Sequence, residues 1–328
     1  RPTGQTVVGV NDVMVTAGGS IGVGVVTATN DVTLTSGDAI YDTNQELANI
    51  TAPDVILTAP NGIGQEPAEE GLALDTTLNT VTANSASGGV FVSNRSLGTV
   101  EFVQVAAGGG NDVYLANTQG ALSLGQVVAN GGDVTVHGGD GTIVDGNAAG
   151  ANIVGASASI ICSNQVGSDA DPIETTVDGL SVEIIEEGQS FVIAESDTLD
   201  TISVKVNNGS FDLSFTGGAF DFDATTSTFS ASGAPSVSFE NTGGDVAVGT
   251  VDAPTSVTIV ASGAITDAGS ALTAATATLT AGTTIGGAGS ELNTDVDTLV
   301  IEAGEGTLHI READDVTLTA VAQGTGSD

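Results

Sequence analysis

The chain has 328 residues, of which 41 are acidic and 4 basic, giving a formal net charge of −37. A surface of that sign repels nucleic acid and anionic membranes, which excludes both as partners, and it attracts cations. Aromatic residues make up 3%, Trp is absent and Cys162 is the single cysteine, so an aromatic-rich core and an intrachain disulfide are excluded as well.

Mean hydropathy is +0.24, too high for a disordered chain. No run of about 18 apolar residues marks a membrane-spanning helix. Glycine is abundant at 46. Short strands with Val, Ile, Leu and Ala inside and Gly at tight corners account for this composition.

In chain order, a Val-x-Leu beat recurs: Asp31-Val32-Thr33-Leu34, Asp54-Val55-Ile56-Leu57, Asp112-Val113-Tyr114-Leu115, Asp133-Val134-Thr135-Val136, Ser256-Val257-Thr258-Ile259 and Asp315-Val316-Thr317-Leu318. Apolar and polar residues alternate within each copy, as in a strand with one buried face. A fixed period of about twenty residues marks a solenoid. Helical turns are suggested only at Gln45–Ala48 and Glu66–Glu70.

Three longer segments superpose. The first runs through Asp31, Ala39-Ile40-Tyr41-Asp42, Ala48-Asn49-Ile50 and Asn61-Gly62-Ile63-Gly64. The second runs through Asp133, Thr142-Ile143-Val144-Asp145, Ala151-Asn152-Ile153 and Asn164-Gln165-Val166-Gly167. The third runs through Ser256, Ala264-Ile265-Thr266-Asp267, Ala271-Leu272-Thr273 and Thr283-Thr284-Ile285-Gly286. They divide the chain into super-repeats at about 6–110, 111–230 and 231–320. Phe211, Phe215, Phe220, Phe222, Phe229 and Phe239 crowd the stretch 201–240, read as an irregular part of the solenoid or as a small β-sandwich insertion. Near the end, Val257, Ala277, Leu299 and Val316 open four comparable strands. The expectation is an all-β parallel β-helix of about 20–25 residues per coil, one continuous solenoid of roughly 14 to 16 coils.

Strings of the form Asp-Val-Thr-Leu-Thr-Ala-x-Gly-x-Ile, followed by Asn-Gly-Ile-Gly and an acidic or proline-containing loop, resemble the repeats of filamentous-haemagglutinin-like surface proteins and autotransporter passengers. The resemblance covers most of residues 6–320. It implies a right-handed parallel β-helix, export, and a role at the cell surface in adhesion or in an extracellular filament.

The residues that invite chemistry are the acids at strand entrances: Asp12, Asp31, Asp54, Asp112 and Asp133. Equivalent positions in neighbouring coils stand about 4.8 Å apart. Carboxylates so stacked repel one another unless a cation or a hydrogen bond intervenes, and hard Ca²⁺ takes such oxygen ligands. A weak Ca²⁺ ladder is one reading, and corner-making aspartates bonded to their own backbone are the other. No further cofactor is expected. Gly108-Gly109-Gly110-Asn111-Asp112-Val113 is a single imperfect match to a calcium-binding nonapeptide, which needs tandem copies. Carboxylate pairs at Glu69-Glu70, Asp169 with Asp171, Glu186-Glu187 and Asp314-Asp315 read as solvated corners rather than catalytic pairs. His137 and His309 have no nearby Cys or second His to complete a metal or nucleophilic site. Cys162 reads as a small buried hydrophobe. Outward Thr-x-Thr pairs such as Thr33/Thr35 read as ordinary exposed strand residues. Sequons occur at Asn49, Asn94 and Asn208.

The expected function is therefore structural and not enzymatic: a rigid segment or subunit of a cell-surface filament, stalk or large adhesin, located outside the cell. Its expected partners are copies of itself stacked head-to-tail through open solenoid ends, neighbouring segments of a longer chain, and surface glycans. A polysaccharide lyase or hydrolase, or a glycan- or ice-binding module, are the alternatives.

Overall fold

The computed structural model of the chain describes residues 6–8, 11–44, 48–65, 73–147, 150–168, 170–186, 189, 191–196, 201–206, 211–215, 218–222, 228–232, 236–241, 245–269, 271–304 and 306–323. In the strands between 201 and 237 it describes the backbone alone. The fold is all-β, 63% strand with no helix among the described residues, and its stacked parallel sheets form a β-solenoid of about 11 turns. That is fewer than the 14 to 16 expected, because a coil uses more chain than the twenty residues of the clearest repeats. In one step alone, Thr201 pairs with Ser236 on the adjacent coil. Of the suggested helical turns, 45–48 and 66–70, only Ala48 lies among the described residues, and it is in no helix.

The chain forms two compact units, residues 1–176 and 177–328. In the first, three inward columns run from coil to coil. Val13 pairs with Val32, Val55 and Val81 in succession. Ile21 leads to Ile40, Ile63, Val90, Val113, Val134 and Ala158. Val26 leads to Ile50, Thr76, Asn94 and Asn117. The first coil shows why there are three: Val13–Ala17, Ile21–Val23 and Val25–Thr27 are three short strands separated by Gly18-Gly19 and Gly24. Alternation decides which residues enter. In Asp31–Ser36 the pattern is exposed, buried, half-buried, buried, half-buried, buried, with Val32 and Leu34 inside.

In the second unit one column reads Leu180, Ile202, Val237, Val257, Ala277, Leu299 and Leu318. The expected fourth strand start, Val316, is thus displaced: Leu318 faces Leu299. Between 211 and 232 the parallel pattern breaks. Phe211–Phe215 runs antiparallel to Gly218–Phe222, and Asp221 of the latter bridges antiparallel to Ser230. The flanking pairings, Phe191–Glu195 with Phe211–Phe215 and Thr228–Ser232 with Val246–Asp252, are parallel. Of the clustered phenylalanines, Phe239 is buried; the other five side chains lie outside the described residues.

The core is almost wholly Val, Ile, Leu and Ala, with Phe102, Phe191 and Phe239 the largest side chains fully enclosed. Each large aliphatic residue so buried contributes about 1.5–3 kcal/mol. The corners demand glycine where the chain turns back. Gly64 and Gly286, at matching points of the first and third super-repeats, have φ of 70° and 69°. A Cβ there would collide with the carbonyl oxygens of Phe91 and His309 in the next coil. Gly167, at the same point of the second, has φ of 61°. The three amides donate to equivalent carbonyls, those of Ile40, Ile143 and Ile265.

Candidate functional site

The strand-entry aspartates divide into two groups. Asp31 pairs with Asp54, and Asp12 precedes Val13, the partner of Val32, so these three follow one edge. Asp112 and Asp133 precede Val113 and Val134, which belong to a different column. Hydroxyls and amides interrupt both runs. Asp54 accepts a hydrogen bond from the Thr80 hydroxyl (2.6 Å), Asp112 from the Asp133 amide (2.9 Å), and Asp133 from the Ser157 hydroxyl (2.8 Å). Asp12, Asp31, Asp54 and Asp133 are exposed and Asp112 is half-buried.

The tightest convergence of acids among the described residues lies elsewhere. Asp295, Glu312 and Asp314 bring ligand oxygens within 4.8 Å of one another. Register explains it, since Thr294 pairs with Glu312 on the next coil. Glu312 is held in place: its Oε2 accepts from the Thr294 hydroxyl (2.6 Å), and its Oε1 from the amides of Val296 (3.0 Å) and Ala313 (3.1 Å). Asp314 has its carboxyl pushed up by desolvation, then by the charges of Asp295, Glu312, Asp297 and Asp315. Three carboxylates around one point, one of them fixed, are the donor set that a hard divalent cation takes. The sequence shows only the Asp314-Asp315 pair; the partners on the preceding coil become neighbours through register.

Glu312 also belongs to a corner that recurs in each super-repeat. Asn94 Oδ1 accepts the Leu78 amide (3.0 Å) and the Thr76 hydroxyl (3.2 Å). Glu195, 2% exposed, accepts the Val177 amide at 3.3 Å. Glu312 does the same for Val296 and Thr294. A second corner precedes this one. Asp42 Oδ1 accepts the Asn44 amide (2.6 Å) and Asn49 Nδ2 (2.5 Å), and Asn49 Oδ1 accepts the Asp75 amide (2.8 Å). Asp145 repeats this with Asn147 (2.8 Å) and Asn152 (2.6 Å), and Asn152 Oδ1 takes the Glu174 amide (2.8 Å). In the third super-repeat Leu272, not Thr273, stands where Ile50 and Ile153 stand, because it pairs with Val251 as they pair with Val26 and Val127. Ala271 therefore occupies the asparagine's place, and that copy lacks the bond.

These corners settle several sequence signals. Asn49 and Asn94 are fully buried and bonded within the core, so their sequons are not glycan acceptors; Asn208 lies outside the described residues. Asn111 Nδ2 donates to the Ser87 and Gly108 carbonyls (3.0 and 2.7 Å), closing a corner. Cys162 does likewise, its thiol lying 3.2 Å from the Gly141 carbonyl. Desolvation pushes that thiol up to about 11. Glu69, Glu70, Asp169 and Glu187 lie outside the described residues. The Asp145 corner borders a cavity of about 180 Å³ lined in part by Thr142, Gln165, Ser168 and Asp171.

No protein-family model, curated protein or solved structure matches the chain.

Proposed function

We propose that the chain is a structural element outside the cell: a rigid segment or subunit of a surface filament, stalk or large adhesin, of the filamentous-haemagglutinin or autotransporter-passenger kind. The observation that carries this reading is the continuity of the inward columns. Coil after coil places the same small aliphatic residues inside, and the hydrogen-bonded corners recur with the super-repeat. The chain's chemistry is thus spent on making one cross-section many times. The net charge of −37 suits such a body, because it keeps the outer faces of neighbouring solenoids from adhering.

Cations are its natural small ligands. Ca²⁺ at Asp295, Glu312 and Asp314, and weakly along Asp12, Asp31 and Asp54, would relieve the repulsion between coils. Its partners in this reading are further coils, of a neighbouring segment or of a second copy, stacked on the outermost strands. Val8 and Leu318 there are 73% and 57% exposed, whereas Leu299, one coil in from Leu318, is 2% exposed. Strand edges with apolar residues beside them favour such addition. No described helix is long and apolar enough to cross a membrane.

Electron microscopy of the purified chain, with and without Ca²⁺, tests the reading. End-to-end filaments are the expected result. Isolated particles under all conditions, together with cleavage of a polysaccharide panel, would overturn it in favour of an enzyme.

A further inference from the structure

The corner built by Asp42 and Asn49 and the corner built by Asp145 and Asn152 have the same hydrogen bonds but not the same charge. In the first, the held amide is that of Asp75, whose carboxylate is 3.3 Å from the Arg95 guanidinium. In the second, the held amide is that of Glu174. The charges that act on Glu174 are those of Asp145 and Asp171, and the charge that acts on Asp171 is that of Asp145. No Arg, Lys or His is among the groups that act on Asp171 or Glu174. Arg95 follows Asn94, the acceptor of its corner; the residue that follows Glu195, the equivalent acceptor, is Ser196. The strand Leu122–Ala129, along which Ile143–Asp145 is laid, contains no ionisable residue.

In each corner one carboxylate oxygen, Asp75 Oδ2 in the first and Glu174 Oε2 in the second, is sealed from solvent and accepts no hydrogen bond. The cavity of about 180 Å³ beside Asp145 and Asp171 leaves room for the coil to shift. Asp145 is committed as an acceptor, since its Oδ1 takes both Asn147 and Asn152. A proton on Asp171 or Glu174 would remove one of three negative charges and supply a donor that a cluster of carboxylates lacks.

We propose that the Asp145 corner is a proton-operated joint in the solenoid: with its three carboxylates ionised the coil from Ile143 to Thr176 opens locally, and uptake of one proton by Asp171 or Glu174 closes it. In the preceding super-repeat Arg95 offsets part of this effect: desolvation first, and then Asp42, raise the Asp75 carboxyl, and Arg95 lowers it. The direction of titration agrees. Desolvation first, and then the neighbouring carboxylates, raise the exposed Asp171 and the half-buried Glu174 above their ordinary values. A carboxyl raised in the folded state binds its proton more tightly there than in the opened one. Closure therefore strengthens as pH falls through the folded value, and the gain is complete below the opened-state value.

Amide hydrogen exchange on the full chain, from neutral to mildly acidic pH in chelator and corrected for intrinsic rates, reads this directly. Protection of the Asn152 and Glu174 amides should rise several-fold on acidification, while that of Asn49 and Asp75 rises less. Glu174→Gln should flatten the response of the second corner and leave it closed at neutral pH. Asp171→Asn, at an exposed position, provides the same reading if the first variant folds poorly. An equal response at both corners, or one that survives both substitutions, would overturn the proposal. So would tightening that needs Ca²⁺ and does not follow from acid, which would make the joint a metal site.

Discussion

Asn49→Ala probes a buried corner of the first unit. Asn49 is fully buried, and its Nδ2 lies within bonding distance of Asp42 Oδ1 (2.5 Å), Asn44 Oδ1 (3.0 Å) and the Val23 carbonyl (3.0 Å). Some of these acceptors keep a donor when it is removed: Asp42 retains the Asn44 amide, and the Val23 carbonyl retains the Thr43 amide. The Asp75 amide is a donor and loses its acceptor, because its hydrogen bond runs to Asn49 Oδ1 in a site closed to water. An orphaned buried amide costs about 1–3 kcal/mol, and the space left by the carboxamide adds to it, so about 2–4 kcal/mol is expected. Solenoids unfold by neighbouring repeats, so the loss should be local. Hydrogen exchange should accelerate in Ile40–Asp42 and Leu74–Thr77 while strands two coils away stay protected. Asn49→Asp should be worse at neutral pH, since it sets a carboxylate against Asp42. Unchanged exchange in both strands, with a global shift below about 0.5 kcal/mol, would refute the claim that this bond holds adjacent coils together.

Gly286→Ala places a Cβ against the His309 carbonyl at a left-handed φ, and should cost about 2 kcal/mol or more, seen as a fall in the urea midpoint; Gly289→Ala, with open space around it, should cost less. Cys162, buried with its thiol raised to about 11, should resist alkylation at pH 8 in the native protein and react fully in denaturant. Ca²⁺ titration by calorimetry should show uptake that Asp295→Asn and Asp314→Asn each weaken; heat unchanged by both would remove this cluster as the binding site. Cys162→Ser should be nearly neutral, since a hydroxyl can donate to the same Gly141 carbonyl, whereas Cys162→Val should destabilise by about 1 kcal/mol through that orphaned acceptor.

Much of the fold was legible because strand and corner leave different marks. Alternation in Asp31–Ser36 and Asp54–Ala59 assigns the inward residues, and the structure pairs them position for position. Register over longer spans was less legible. A strand pattern of period two looks the same after a slip of two residues, so nothing in the sequence distinguishes Val316 from Leu318 as the partner of Leu299. The single-residue slip at Thr273 has another cause. The asparagine that anchors the alignment in the first two super-repeats is replaced by Ala271 in the third, and with the anchor lost Ala271 aligns with Ala48 and Ala151, which sets Thr273 opposite Ile50 and Ile153.

The acids show the same limit from the chemical side. Strand-entry aspartates advertise themselves by repeating before Val, yet the repeat spans two columns, and Thr80 and Ser157 meet the carboxylates with hydroxyls. Asp295, Glu312 and Asp314 carry no local motif; they converge because Thr294 and Glu312 occupy matching places on successive coils. The buried asparagines invert the usual inference. Asn49 and Asn94 look like surface residues by type and by sequon, but a solenoid corner turns several carbonyls and amides inward at once. A side-chain amide, with donors and an acceptor on one short stem, satisfies both kinds. Substituting Glu for Asn at such a corner, as at 195 and 312, keeps the acceptor and adds a charge. At 312 that charge stands with Asp295 and Asp314, where the first super-repeat has the neutral Asn94.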